Sequence, residues 1–246
     1  MNAIEDAILK LDSKLQAVPF DFAFIGGSVL SLLVTDPVVD AIRVTKDVDV
    51  IVDVKSRKEF HKAERLLEQI GFRHDTREDS PICRWVCDGV TVDILPIREE
   101  VLGWKSRWFS EALKSARLMK CGDRNVKVIS PAYFVALKLE AFEERGKGDF
   151  LMSTDFEDVI CLFNGRENIA NEILADAELR DMLSKKFRDY LNSSAMEDAI
   201  DGFVQTECNP EQRKEAIIKR FRRIAELGDT RHGTQDRWEC ASREVK

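Results

Sequence analysis

The sequence predicts an α/β domain followed by an all-helical domain. Short runs rich in Val, Ile and Phe alternate with helix-patterned segments as far as residue 129, and Asp88-Gly89 divides two such runs as a hairpin turn would. From Ser130-Pro131 to Leu227 the apolar spacing is helical throughout. The domains are therefore read as 1–129 and 130–227, with the polar, uneven residues 228–246 as a flexible tail.

The composition suits a globular chain able to bury a full core: 246 residues, 44% hydrophobic and 34% charged. Its formal net charge of -7 argues against non-specific coating of nucleic acid. The cysteines at 83, 87, 121, 161, 208 and 240 form no CxxC pair and no regular spacing, which disfavours a zinc site or disulfide framework and fits reduced thiols in a cytoplasmic protein. Near the N-terminus, acidic residues stand where a signal peptide has basic ones, and Ile4, Ala7, Ile8, Leu11 and Leu15 recur at helical spacing, so this segment reads as a surface helix. The longest apolar run, Phe22 to Val34, is broken by Gly26, Gly27 and Ser28 and is too short to span a bilayer; no membrane partner is expected.

In chain order, Pro19 breaks the first helix and Phe20 to Ile25 form a short strand. Gly26-Gly27-Ser28 then turns the backbone into a helix beginning near Val29, which Asp36-Pro37 stops. Val44 to Val54 alternates as a strand, with Thr45, Asp47, Asp49 and Ile51 on one face and Val48, Val50 and Val52 on the other. Ser56 and Glu59 have the spacing of a capping box, Phe60, Ala63, Leu67 and Ile70 form a buried stripe, and Gly71 stops that helix. A two-residue loop at Asp88-Gly89 pairs Cys87 with Val90 and, counting back, sets Arg84 opposite Asp93. A further short strand is read at Asn125 to Ile129.

The chemistry gathers on few residues. Along a strand Asp47 and Asp49 point the same way with their Cα atoms about 7 Å apart, within convergence range of one metal ion. Asp93 stands alone in an otherwise apolar strand, where a charge is costly without a ligand or partner. A glycine turn into a helix start offers free backbone N–H groups to phosphate oxygens. Each feature taken singly has an ordinary reading, as a solvated strand face or a tight turn. Their order and spacing carry more.

Gly27-Ser28, Asp47-Val-Asp49 and Asp93 resemble the pattern of the DNA polymerase β-like nucleotidyltransferase superfamily. Arg43-x-Thr45-x-Asp47-x-Asp49 is similar to its branch of minimal nucleotidyltransferases and AbiEii-type toxins. The match spans roughly residues 20 to 160. It implies an α/β (α+β) nucleotidyltransferase domain with a mixed sheet followed by an all-helical domain, with the nucleotide held between them. It further implies Mg²⁺ or Mn²⁺ on Asp47, Asp49 and Asp93, and an NTP such as ATP contacted by Gly27, Ser28 and Arg43. The branch also carries a lysine on a helix after the sheet and a later aspartate, matched here by Lys138 and Asp155, with Asp158 a competitor.

Other residues keep two readings. Lys138 projects from a stripe of Phe134, Val135, Ala141 and Phe142, either to reach a triphosphate or as a snorkelling stem. Asp155 and Asp158 either join the site or complement a helix dipole. Arg84 either neutralises a phosphate or pairs with Asp93. The helix from Glu211 to Leu227 presents Arg213, Lys214, Arg220 and Arg223 as an RNA contact or a solvated face, and the Trp104 to Phe109 cluster stacks on a base or packs at a helix entry. His61, His74 and His232 have no triad or metal spacing.

The expected activity is Mg²⁺-dependent transfer of an NMP from an NTP to an acceptor hydroxyl. The toxin branch implies tRNA or a protein as acceptor and an antitoxin partner. Small-molecule members of the superfamily imply an acceptor such as an aminoglycoside. A non-catalytic nucleotide- or partner-binding module is the alternative from another class.

Overall fold

A computed structural model describes residues 3–37, 45–103, 106–204 and 209–227. Arg43, Trp104, Cys208, His232, Cys240 and the expected tail at 228–246 lie outside the described residues. The chain divides into two units, Met1–Val34 with Ile42–Ala141 and Thr35–Ala41 with Phe142–Lys246. The division falls inside the helix Pro131–Glu144 rather than before it.

The first unit is built on a mixed seven-stranded sheet: β1 (Phe22–Ile25), β2 (Asp47–Val52), β3 (Arg73–His74), β4 (Arg84–Cys87), β5 (Val90–Pro96), β6 (Arg117–Cys121) and β7 (Arg124–Val128), in the order β3-β4-β5-β2-β1-β7-β6. The pairs β2–β5 and β1–β7 are parallel, and the remaining neighbours are antiparallel. Strand β2 buries Val48, Val50, Ile51 and Val52 and leaves Asp47 and Asp49 partly accessible, as its alternation predicts. Its regular part is shorter than the predicted strand, as is that of β1.

The helices of this unit are α1 (Ala3–Leu15), the short α2 (Leu30–Leu33), α3 (Arg57–Gln69), α4 (Glu99–Leu102), α5 (Phe109–Ser115) and most of α6 (Pro131–Glu144). Helix α1 buries Ile8, Leu11 and Leu15 together with one acid, Asp12. Asp12 receives an N–H from Gln16 at 3.1 Å and one from Arg124 of β7 at 3.2 Å. Arg124 alternates in phase with Val126 and Val128, and Val128 pairs through Phe24 with Val50, so α1 covers the sheet face opposite Asp47 and Asp49. At the start of α3 the Glu59 N–H donates to Ser56 Oγ at 3.2 Å, while the Glu59 carboxylate accepts from the Lys55 N–H at 2.8 Å. The capping box thus closes one residue earlier than its usual reciprocal form.

The Asp88-Gly89 hairpin forms with the counted register: Cys87 opposite Val90 and Arg84 opposite Asp93. Both turn residues have positive φ, 49° at Asp88 and 79° at Gly89, the conformation of a type I′ turn. Strand β6 is not foreseen by the sequence pattern. Arg117, Leu118 and Lys120 are exposed on it, so this edge strand has no apolar alternation to announce it.

The second unit contains α7 (Thr154–Gly165), α8 (Ile169–Ala175), α9 (Ala177–Tyr190), α10 (Ser194–Phe203) and α11 (Pro210–Leu227). Phe163, Phe187 and Phe221 meet at ring-centroid distances of 4.4 to 5.4 Å and tie α7, α9 and α11 into one core. Among the described residues no helix is long and apolar enough to cross a membrane, and Cys83, Cys87, Cys121 and Cys161 are free thiols.

Candidate active site

One row of the sheet assembles the acidic cluster. Arg84 on β4 lies opposite Asp93 on β5, Asp93 is in register with Asp49 on β2, and Asp49 is opposite Ile25 on β1. In-register residues share a face, and strands sit about 4.8 Å apart, so Asp93 and Asp49 are immediate neighbours. Asp47, two residues before Asp49, joins them on that face. Thr45 Oγ1 lies 2.7 Å from the Asp47 carbonyl oxygen and 3.3 Å from its Oδ1, bracing the first acid.

Gly26 determines where Asp49 rests. Its φ of 72° and ψ of −169° are strained for any L side chain, and a Cβ there would lie 2.0 Å from Asp49 Oδ2. The carboxylate occupies the space a side chain at 26 would need. Ser28 is buried and its Oγ donates to the Ile25 carbonyl at 3.1 Å, which closes the turn from inside. Gly27 opens the 3-10 turn Gly27–Val29 that leads into α2.

Arg84 is the cation of the cluster. Its Nε donates to Asp93 Oδ1 at 2.8 Å, and its Nη2 donates to Asp93 Oδ2 at 2.7 Å and to Asp47 Oδ2 at 3.1 Å. The hydrogen bonds with Asp93 raise the guanidinium's already high pKa, against the lowering effect of burial. Asp93, 9% exposed within an apolar strand, has the partner that its position demands. The pairing with Asp93 follows from the turn, whereas the reach to Asp47 does not. Asp47 is in register with Thr91, one row along, and only a long side chain crosses that diagonal.

The donor set suits a hard divalent cation: three carboxylates on one sheet face, two of them partly accessible. Among the described residues, however, no three His, Cys, Asp or Glu side chains already form a metal-holding group. Arg84 Nη2 stands between an oxygen of Asp93 and one of Asp47.

Lys138 on α6 is 8% exposed, with its ammonium 5.7 Å from the centroid of the Phe134 ring. Asp155 and Asp158 lie buried near the start of α7, in the second unit, where Ser153 accepts the Phe156 N–H as N-cap. Asp155 holds Arg145 through two hydrogen bonds of 2.8 Å. Arg43 lies outside the described residues.

Two other expectations take a structural turn. On α11, Arg213 donates to Asn164 and Asp36, Arg220 donates to the Phe163 carbonyl at 2.6 Å, and Lys214 pairs with Asp201 and Glu211. Burial lowers the pKa of Arg220, as befits a cation used inside the fold. In the aromatic cluster, Trp108 is buried edge-on to Tyr133 at 6.0 Å, beneath the Arg107 guanidinium at 4.4 Å. Of this cluster, Trp108 packs at a helix entry.

Gly26 and the Arg84–Asp47 contact are the two features sequence reasoning passed over. The Gly-Gly pair signals a tight turn without saying which glycine takes positive φ or what presses on it.

No protein-family model matches the chain, and no curated protein matches it. Several solved structures are similar to it. An antigenic nucleotidyltransferase-like protein from Paracoccidioides brasiliensis is 19% identical, covering 87% of this chain and 92% of its own, at a TM-score of 0.46. ANT(2")-Ia in complex with adenylyl-2"-tobramycin is 15% identical over 59% of this chain and 80% of its own, at a TM-score of 0.39. The solution structure of the antibiotic-resistance factor ANT(2'')-Ia is 12% identical over 96% of both chains, at 0.41. At such scores no residue role is carried across from them.

Proposed function

We propose that this protein is a metal-dependent nucleotidyltransferase that moves an NMP from an NTP to an acceptor hydroxyl. The observation that carries this reading is the single sheet row holding Asp93 and Asp49, with Asp47 beside them and Gly26 pressed against Asp49. A purely structural strand pair has no need of three carboxylates on one face, because their mutual repulsion costs stability.

In this reading Asp47 and Asp49 hold Mg²⁺ or Mn²⁺, and Asp93 completes the ligand set. A bound divalent ion supplies positive charge to the phosphates and lowers the proton affinity of the attacking hydroxyl. The acceptor oxygen forms a bond to the α-phosphorus as the bond to pyrophosphate breaks. Asp93 takes the hydroxyl proton, a role for which its hydrogen bonds with Arg84 must first open. Gly27, Ser28, Arg43 and Lys138 are assigned to the triphosphate, Ser28 through the shape of the turn since its hydroxyl is already engaged. Asp155, already paired with Arg145, is assigned to the nucleotide end of the helical unit.

The acceptor proposed is a tRNA or protein hydroxyl, in the manner of a toxin controlled by an antitoxin. Arg213, Lys214 and Arg220 are engaged within the helical unit while Arg223 is exposed, so both an RNA and an aminoglycoside-like acceptor belong in the same assay. The test is incubation with each α-labelled NTP and Mg²⁺ against tRNA, protein and small polyhydroxylated amines. Label transferred to one class identifies the acceptor. Silence with all of them, combined with NTP binding that ignores Mg²⁺, would favour a non-catalytic module. Growth arrest on expression, relieved by a neighbouring gene, would support the toxin assignment.

A further inference from the structure

We infer that Arg84 is a tethered counter-cation: it holds the ion position between Asp93 and Asp47, and a divalent metal binds only by displacing it. This rests on the reading of Asp47, Asp49 and Asp93 as the metal ligands.

The geometry is that of one cation doing another's work. Nη2 bridges carboxylates from two different strands, 2.7 Å from Asp93 Oδ2 and 3.1 Å from Asp47 Oδ2. A divalent cation held by the same two oxygens would need the space between them that the nitrogen fills, so ion and nitrogen would exclude one another there. The competition extends to both oxygens of Asp93, since Nε holds Oδ1 at 2.8 Å while Nη2 holds Oδ2. A metal placed where Nη2 now stands, between Asp93 Oδ2 and Asp47 Oδ2, would have to break these two bonds.

The guanidinium also has somewhere to go. Its side chain is 24% exposed, between the 13% of Asp93 and the 40% of Asp47, so it reaches from the buried acid towards solvent. It stays charged at any working pH, and its planar fork is shaped for two carboxylate oxygens or two phosphate oxygens alike. The hairpin turn fixes its backbone opposite Asp93, so only the side chain has to swing. A cluster kept together by its own arginine does not spread when the metal is absent. It also resists filling by free ions.

A structural staple and a tethered competitor differ in sign. If Arg84 only braces Asp93 and Asp47, removing it lets the carboxylates part and metal affinity falls. If it competes, removing it deletes both a steric occupant and a positive charge, and affinity rises. The experiment titrates the full chain with Mn²⁺ in the absence of nucleotide, following the loss of the free-ion paramagnetic resonance signal, for wild type, Arg84→Met and Arg84→Lys. Circular dichroism checks each fold. Arg84→Met is expected to bind Mn²⁺ about tenfold tighter or more, with Arg84→Lys about threefold tighter because a point charge cannot hold both Asp93 oxygens and Asp47 together. Should Arg84→Met fail to fold, the lysine variant decides alone. Wild type binding as tightly as the variants, or tighter, overturns the competition while leaving the metal assignment standing. Mn²⁺ bound by none of the three overturns both.

Discussion

On the face of the sheet covered by α1, Asp12 is buried and holds Arg124 with one oxygen and Gln16 with the other. On the opposite face Asp93 is nearly as buried, yet its arginine is shared with a second acid, Asp47, and Asp49 adjoins in the same row. Asp12 lies on the buried face of an amphipathic helix and Asp93 in an otherwise apolar strand, and both satisfy the rule that a buried charge needs a partner. What separates them is company. Asp12 has a complete set of donors and fastens a helix to a sheet, whereas Asp93 belongs to a group of carboxylates held at the surface of the sheet by strand register. A buried acid with its own partner is architecture; a buried acid that shares its partner with a more exposed one is the arrangement proposed above as a site.

The sharpest way to break this contrast is to remove an acid from each face. Asp49→Ala is expected to lower NMP transfer by about 1000-fold or more while leaving the fold intact, as measured by labelled-NTP transfer beside circular dichroism. Full activity would dissolve the distinction. Gly26→Ala should come next. Its added Cβ would stand 2.0 Å from Asp49 Oδ2 on a backbone with φ of 72°, so both must shift. We expect a loss of about 1–3 kcal/mol in denaturant stability and about a 100-fold loss of activity, larger than the backbone strain alone would give.

Asp12→Ala, on the covered face, is expected to lower stability by about 1–2 kcal/mol and leave activity per folded molecule unchanged. A loss of activity at constant stability would show that the two faces are coupled.

The smallest effect is read by two thiols. Burial first, then the charge of Asp93, pushes Cys83 up to about 12, while burial and then Glu5 and Asp12 push Cys121 up to about 11. For both, the folded pKa lies above the thiol's ordinary value of 9.0, so the folded state keeps its proton longer. The resulting stability is fully present below pH 9 and declines as pH rises through 11 to 12. Native alkylation at pH 8 should therefore be slow at both positions and prompt after unfolding. In Asp12→Asn the Cys121 thiol should titrate lower, with Cys83 unmoved.

Much of this was legible before any coordinates. Alternation in Val44 to Val54 announced which face carries Asp47 and Asp49, and Asp88-Gly89 announced the register that pairs Arg84 with Asp93. These are local rules with short reach, and they survive folding because strand period and turn length leave little choice. The reading failed where the cause is tertiary. Strand β6 exists because β7 offers it an edge, not because Arg117 to Cys121 alternate. The basic residues of α11 point to partners such as Asp36 and the Phe163 carbonyl, far away in sequence, so helical periodicity had no means of telling a solvated arginine from a bonded one. The press of Asp49 on Gly26 is likewise a meeting of two separate segments.

The two-residue turn at Asp88-Gly89 carries a consequence for how this site can vary among descendants of the chain. Substitutions within the turn would change its ease of formation and, at Asp88, its ion pair with Lys14 of α1, while leaving the register in place. A single inserted residue that shifted the pairing of β4 against β5 would instead carry Arg84 to the far side of the sheet, since side chains reverse face at every step. Such a lineage would keep all three aspartates and lose their arginine in one event. Loop length, rather than any residue of the cluster itself, is therefore the hereditary setting most able to change the charge of this centre at a stroke.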